Sequence, residues 1–262
     1  MSKISLQMYT MREHTKTLSE LDNTVGKLGE MGFKNLQYSI PAHFDSKEVK
    51  KIFDKNSMKN DSVFCPWLQL EERAGEVLLQ AEMFETAYVR IEAIPYELAN
   101  TAAGYKAYAH ALNELAQPYK KEGIKILYHF HAFEFIRFDN TRGIDIFLKE
   151  TDPEVIQLNP DTHWIHSGGQ NICDFMEKYK DRYDYIHTKD FGIGERGATL
   201  EARPIVFAPV GAGNLDWKPV IDLCKRNQVK IYAIEQDDCY GADPFVCVKT
   251  SFDNLKKLGV DE

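Results

Sequence analysis

Short apolar runs and longer amphipathic stretches alternate along the whole chain. The apolar runs are rich in Ile, Val, Tyr and Phe, which favours buried β-strands. The stretches between them place apolar residues three and four positions apart, as on one face of a helix. The pattern predicts strands over residues 4–10, 33–39, 62–68, 87–94, 124–130, 154–160, 184–190 and 229–237. It predicts helices over residues 17–32, 45–56, 71–84, 103–123, 141–150, 171–182, 215–227 and 242–259.

Eight strand–helix units follow one another without a linker, and strands that alternate with helices form parallel sheets. Eight such units in 262 residues predict one closed (β/α)₈ barrel, a TIM barrel, as a single domain over residues 1–262. A doubly wound open sheet is the alternative, but it often begins with a glycine-rich phosphate loop. Here the first strand runs into "QMYTMREH", which contains no glycine. A long loop with several glycines and prolines is predicted from about residue 191 to 214.

Composition narrows the class of protein further. The hydrophobic fraction of 44% is that of a globular chain, and no apolar run approaches the ~20 residues that span a membrane. With a net charge of −8, the chain is a poor nucleic-acid binder, because such binding depends on clustered Lys and Arg. The 5 cysteines are odd in number and lack C-x-x-C spacing, which favours reduced thiols in a cytoplasmic protein. The charged N-terminus lacks the apolar core expected of a secretory signal.

Polar residues collect where the predicted strands end, which is where TIM-barrel enzymes carry their chemistry. Strands five to eight run into "YHFHAFEF", "NPDTHW", "HTKD" and "EQDD". These segments bring carboxylates and imidazoles to one end of the predicted barrel, without a thiolate. Such a set suits a hard or borderline divalent cation, namely Mg²⁺, Mn²⁺, Co²⁺ or Zn²⁺. A single carboxylate at a strand end more often caps a loop, so the inference depends on the four strands together.

Five segments resemble signature segments of the xylose isomerase-like barrel superfamily, and within it of the sugar phosphate isomerase/epimerase group: "YHFHAFEF", "LNPDTHWIHSGGQN", "YIHTKDF", "PVGAGNLDW" and "YAIEQDDC". The resemblance implies one divalent metal ion with one ligand from each of four strands: Glu134, Asp161, His187 and Glu235. It also implies that Glu134 and Glu235 move the substrate proton, as the metal-bound glutamates do in ketose 3-epimerases. Two positions depart from the epimerases. Trp164 stands where a substrate-binding His is usual, and no Arg follows the metal His, so Lys189 is the candidate replacement.

The chemistry expected from this set begins with removal of the proton next to the carbonyl of a ketose, which gives an enediolate. Return of the proton to carbon gives a sugar isomerase or epimerase, which is the favoured function. Loss of a β-hydroxyl from the same enediolate gives a lyase or dehydratase of a keto-inositol or keto-glycoside, and the sequence does not separate the two. The side chains expected to bind the substrate are His129, His131, His163, Lys189, Trp67 and Gln7.

Other functions are weaker alternatives. A barrel that binds a sugar or a partner without catalysis is expected to have a broken ligand set. The DNA-repair endonuclease branch of the superfamily needs further metal ligands and a basic surface. The expected partner is therefore a small carbohydrate, with no nucleic acid and no membrane, and the resemblance implies a possible homo-oligomer. Arg196 and Arg203, in the predicted loop, are candidates to meet an anionic substrate group, although solvated or paired arginines are commoner.

Overall fold

The fold is that of a computed structural model, which describes residues 2–195, 199 and 202–261. Its strands are Ile4–Gln7, Asn35–Gln37, Lys59–Asn60, Val63–Phe64, Tyr88–Ile91, Lys125–His129, Arg137–Phe138, Thr141–Arg142, Ile156–Asn159, Tyr185–Thr188, Asp190–Ile193, Ile205–Ala208 and Ile231–Ile234. Its α-helices are Leu18–Met31, Ser46–Lys55, Ala74–Phe84, Ala102–Leu115, Gln117–Lys121, Gly143–Glu150, Thr162–Ser167, Ile172–Lys178, Trp217–Arg226 and Pro244–Lys257. Short 3₁₀ helices span Met8–His14, Trp67–Gln69, Ala132–Phe135 and Lys180–Arg182. Within the described residues, no helix combines the length and apolar character needed to cross a membrane.

One compact unit consists of Met1–Asn60 and Asp184–Glu262. Its main sheet has five parallel strands, in the order Tyr185–Thr188, Ile231–Ile234, Ile4–Gln7, Asn35–Gln37 and Lys59–Asn60. Leu6 pairs with Ile234 on one side and with Leu36 on the other, and all three side chains are buried. Because this register aligns the carboxyl ends of neighbouring strands, the polar residues that follow each strand emerge side by side.

The second compact unit spans Asp61–Tyr183. Its main sheet has four parallel strands, in the order Val63–Phe64, Tyr88–Ile91, Lys125–His129 and Ile156–Asn159. His129 pairs with Asn159, so the ends of these two strands are level. Parallel strands separated by helices confirm the predicted α/β class. The interpretation of residues 1–262 as one domain stays a prediction.

The first helix shows how local sequence signals set the helix ends. The Oγ1 atom of Thr17 accepts the N–H of Glu20 at 3.2 Å, and the Glu20 carboxylate accepts the N–H of Thr17 at 2.9 Å. This reciprocal pair satisfies N–H groups that have no partner inside the helix. Gly32 ends the helix at a φ of 107°, which a side chain would strain. The face between these ends is buried in the core through Leu21, Val25 and Leu28.

Several predicted elements are wrong in detail, among them the strand predicted over 4–10, which ends at Gln7. The helix predicted over 103–123 is two helices, because Pro118 has no N–H for the preceding turn and fits instead at the start of Gln117–Lys121. The strand predicted over 62–68 ends at Phe64, and Trp67 lies in a 3₁₀ helix that begins after Pro66.

The predicted loop over 191–214 contains regular structure. Strands Asp190–Ile193 and Ile205–Ala208 form an antiparallel ribbon in which Phe191 pairs with Phe207. The apolar and β-branched residues of "DFGI" and "IVFA" favour short strands on either side of the glycine-rich part. Arg196, proposed from the sequence to meet an anionic group, lies outside the described residues, and Arg203 is exposed.

Candidate metal centre and active site

Four buried side chains converge closely enough to hold one metal ion. One ligand atom from each of them lies within 4.8 Å of all the others, and the four residues are His129, Asp161, His187 and Glu235. Each lies at or just beyond the carboxyl end of a parallel strand, where the backbone leaves the core. The four residues are therefore brought together by the positions of their strands, and no short sequence motif with fixed spacing contains them.

The donor set fits a divalent cation. Two imidazoles and two carboxylates, without a thiolate, are ligands that suit Mn²⁺, Co²⁺, Zn²⁺ or Mg²⁺. Two carboxylates that are withdrawn from water need positive charge nearby. Asp161, His187 and Glu235 belong to the ligand set that the family resemblance implies. The fourth member of the group is His129, a residue predicted from the sequence to bind substrate.

A hydrogen bond to a buried glutamine, Gln37, fixes the orientation of the His187 ring. The Nε2 atom of His187 lies 2.7 Å from Oε1 of Gln37, and the Gln37 amide donates to the hydroxyl of Tyr185 at 2.7 Å. With Nε2–H donating to Gln37, Nδ1 is the nitrogen that keeps a lone pair, and it lies 3.0 Å from Oε2 of Glu235. Sequence reasoning missed Gln37. Its signal is a polar side chain between the two buried residues of "LQY".

Glu235 contacts a buried lysine as well as the histidine. Nζ of Lys189 lies 3.1 Å from Oε2 of Glu235 and 2.8 Å from Oδ2 of Asp237. Lys189 is only 1% exposed, and Nζ lies 5.2 Å from the centre of the Phe207 ring. Burial, followed by the negative charge of Glu235, raises the pKa of Asp237, although Lys189 acts in the opposite direction. Asp237 is a second contact to which sequence reasoning assigned no role.

Glu134 lies outside the group of four. Its carboxylate accepts the Tyr128 hydroxyl and the backbone N–H of His131, each at 2.7 Å. The side chain is fully buried, and this burial raises the pKa of Glu134 to about 8. The Tyr128 hydroxyl in turn accepts the N–H of Ile94 at 3.0 Å, so Glu134 also holds a loop in place. Its roles as metal ligand and as acid or base stay predictions.

The residues predicted to bind substrate lie in different local settings. The ring of His131 lies 5.8 Å from Phe133, nearly parallel to it, and 5.1 Å from Trp164. His163 is buried with its ring 4.6 Å from Trp164. The aromatic residue that replaces the usual histidine therefore packs against both imidazoles.

Gln7 and Trp67 both make contacts at strand ends. The side-chain oxygen of Gln7 accepts the N–H of Tyr9 at 2.5 Å, which caps the 3₁₀ helix that follows the first strand. The backbone N–H of Trp67 donates to the Glu92 carboxylate at 3.2 Å, and the indole ring of Trp67 lies 4.9 Å from the Tyr108 ring. The substrate-binding roles of both residues stay predictions.

Asp190 organises the loop that carries "PVGAGNLDW". Its fully buried carboxylate accepts five N–H groups at 2.6–3.2 Å: the backbone N–H of Phe191, Gly211, Gly213 and Leu215, and the indole N–H of Trp217. Gly213 approaches so closely that a Cβ would lie 2.4 Å from the carboxylate oxygen. This loop is therefore folded around one charge that follows directly after Lys189.

Sequence comparison identifies the family. A family model described as "Xylose isomerase-like TIM barrel" matches residues 30–239, which is most of the chain. An inosose dehydratase of Geobacillus kaustophilus is 30% identical over 170 residues, covering 60% of this chain and 54% of that enzyme. The chain spans about half the length of the curated relatives that it matches.

Solved structures agree on the fold. A sugar phosphate isomerase/epimerase from Parabacteroides distasonis superposes with a TM-score of 0.82 at 20% identity, covering 100% of this chain and 96% of that one. A xylose isomerase-like TIM barrel protein from Mycobacterium smegmatis, in complex with magnesium, has a TM-score of 0.69 at 15% identity, covering 99% and 97%. At these identities the likeness establishes the fold, and it confirms the predicted TIM barrel. The chain belongs to the xylose isomerase-like TIM barrel family.

Proposed function

We propose that this protein is a metal-dependent enzyme that removes the proton next to the carbonyl of a polyhydroxylated ketone. The observation that carries the proposal is the buried group of four potential ligands, two imidazoles and two carboxylates within 4.8 Å of one another. We infer that all four hold the cation: His129, Asp161, His187 and Glu235. A bound divalent cation would polarise the carbonyl and stabilise the negative charge that develops on its oxygen.

The chain's own residues supply the proton transfer and the orientation of the substrate. Glu235 is the proposed base, because it is a carboxylate at the group itself and its position is fixed by His187 and Lys189. We infer that His131 and His163 orient substrate hydroxyls, while Trp164 packs against both rings and excludes water. His131 and His163 thus keep the substrate-binding roles that the sequence predicts.

Dehydration of a keto-inositol-like substrate is the favoured outcome after proton removal. Several curated relatives are inosose dehydratases, and one of them is 30% identical over 170 residues of this chain. The group of potential ligands contains one glutamate, Glu235, whereas the resemblance to ketose 3-epimerases implies two metal-bound glutamates. In this outcome the hydroxyl two carbons from the carbonyl leaves with a proton as water.

Isomerisation or epimerisation of a ketose is the second candidate. It is favoured by the resemblance of "LNPDTHW" and "YAIEQDDC" to epimerase segments, since these carry Asp161 and Glu235. Both candidates share the first step and the same cation. They differ in whether the proton returns to carbon or a β-hydroxyl departs.

Metal analysis is the first test of the proposal. The purified wild-type protein should contain, or take up, about one equivalent of Mn, Co, Zn or Mg. Asp161→Ala and Glu235→Ala should lose it, while Asp174→Ala, which removes an exposed carboxylate, should retain it. A folded wild-type protein that binds none of these ions would contradict the proposal.

The reaction itself is distinguished in D₂O. A keto-inositol incubated with the metal-loaded protein should lose one water molecule, as measured by mass spectrometry. Deuterium that enters a ketose without loss of water would instead support isomerisation or epimerisation. Absence of both, with metal bound, would contradict proton removal as the function of the site.

A further inference from the structure

The environment of Lys189 has a consequence for the charge of the site. Lysine is rarely buried completely unless it is paired, and Lys189 is 1% exposed. Its ammonium group lies between the carboxylates of Glu235 and Asp237, with the face of Phe207 nearby. Lys189 is a predicted substrate-binding residue, but its ammonium group lies against Glu235, a candidate metal ligand.

The charged groups at the site carry more negative than positive formal charge. The candidate ligands include two carboxylates, Asp161 and Glu235. Asp237 adds a third negative charge, and Lys189 contributes one positive charge. Among these four groups, three carboxylates and one ammonium sum to two negative charges, which a single divalent cation would neutralise. Residual charge away from water is costly, so this balance bears directly on how tightly a cation is held.

We propose that Lys189 and Asp237 are positioning residues that set the affinity of the site for a divalent cation, in opposite directions. This inference rests on the metal site of the proposed function. Lys189 weakens cation binding, because its positive charge lies against Glu235 and competes for the same carboxylate. Asp237 strengthens cation binding, because it neutralises Lys189 at 2.8 Å. Together they keep the site neutral with a divalent cation bound.

Titration of metal-stripped protein with Mn²⁺, followed through the electron paramagnetic resonance signal of the free ion, tests this inference. Asp237→Asn removes one negative charge and should weaken binding by about 10- to 100-fold. Lys189→Met removes the positive charge at similar volume and should tighten binding by about tenfold. The double variant restores the wild-type sum of charges and should bind within about threefold of wild type.

The signs of these effects separate charge from simple structural damage. A variant that only disturbed the site would weaken Mn²⁺ binding, so weaker binding in Lys189→Met would overturn the inference. Lys189→Gln provides a second neutral replacement in case Lys189→Met does not fold, and it should also bind more tightly than wild type. Unchanged affinity in the neutral lysine variants and in Asp237→Asn would overturn the inference equally.

An exposed neighbour provides the matched control. Asp238 is the next residue in the chain and is exposed, so Asp238→Asn makes the same formal change of charge as Asp237→Asn. Solvent screens an exposed charge, and Mn²⁺ affinity should change less than about twofold. A wild-type protein that binds no divalent ion would contradict the proposed function and this inference with it. Normal wild-type binding with unchanged variants would contradict this inference alone.

Discussion

Asp190→Asn tests how far one buried carboxylate holds its loop together. Asparagine keeps one acceptor oxygen, which takes two hydrogen bonds, whereas the carboxylate accepts five. At least three donors lose their partner, and the new amide group would itself point donors at N–H groups. Each buried donor without a partner costs about 1–3 kcal/mol. Relaxation of the partly exposed loop reduces the sum, and we expect a loss of about 3–5 kcal/mol in the free energy of unfolding.

Equilibrium unfolding in urea, followed by tryptophan fluorescence, measures this loss. Trp217 donates to Asp190 and is buried, so its emission also reports on the loop. Asp216→Asn is the matched control, because Asp216 lies in the same loop, is exposed and makes no side-chain cap to the helix that follows. The control should stay within about 0.5 kcal/mol of wild type. A loss below about 1 kcal/mol in Asp190→Asn would refute the reasoning.

Four further predictions concern single residues other than Asp190. Gln37→Leu removes the acceptor that orients His187 and should weaken Mn²⁺ binding by about 10- to 100-fold in the same titration; unchanged affinity would contradict the role of Gln37. Gly213→Ala should lower the free energy of unfolding by about 1–3 kcal/mol, because its Cβ would lie 2.4 Å from an oxygen of the buried carboxylate. Gly75 lies in a helix, and a Cβ added there would meet no neighbouring segment within 4 Å. Gly75→Ala should therefore raise the free energy of unfolding by about 0.5–1 kcal/mol. Burial acts to raise the pKa of Asp145, but hydrogen bonds from Arg142, Tyr179 and Lys178 outweigh burial and lower it. The folded-state pKa therefore lies below the unfolded value, so the stability that Asp145 contributes is present above the ordinary value of 3.8 and is lost as the pH falls through the folded-state pKa. Asp145→Asn should lose stability near neutral pH and show a shallower fall in acid than wild type in thermal melts.

The alternation of apolar and amphipathic segments was sufficient to predict the α/β class, because it depends only on the periods of strands and helices. Pro118 also marks the break between two helices, but the spacing of apolar residues alone predicts one continuous helix there. The ribbon formed by Asp190–Ile193 and Ile205–Ala208 was missed, because two short strands flanking a glycine-rich stretch have a weak period. Local patterns thus identify the long elements better than the short ones.

The candidate site was predictable at the level of strand ends and less so at the level of atoms. His129 and Glu134 occur in the same octapeptide, and strand placement alone does not decide which of the two side chains lies with the other three potential ligands. The strand ends at His129, and a 3₁₀ helix then carries Glu134 towards Tyr128. Gln37 depends on pairing between strands that are distant in sequence, which a pattern along one chain does not contain. Contacts of this kind require the three-dimensional structure.

Asp161 joins two events that are usually considered separately. Its carboxylate accepts the N–H of Trp164 at 3.1 Å and so caps the helix Thr162–Ser167, while the same side chain belongs to the group of potential ligands. A short helix of this length has little stability of its own and depends on its first turn. The rotamer of Asp161 therefore determines both whether this turn is capped and whether the carboxylate lies with the other potential ligands. The cation, when it binds, would act as a local folding ligand for the segment that packs Trp164 against the two histidines.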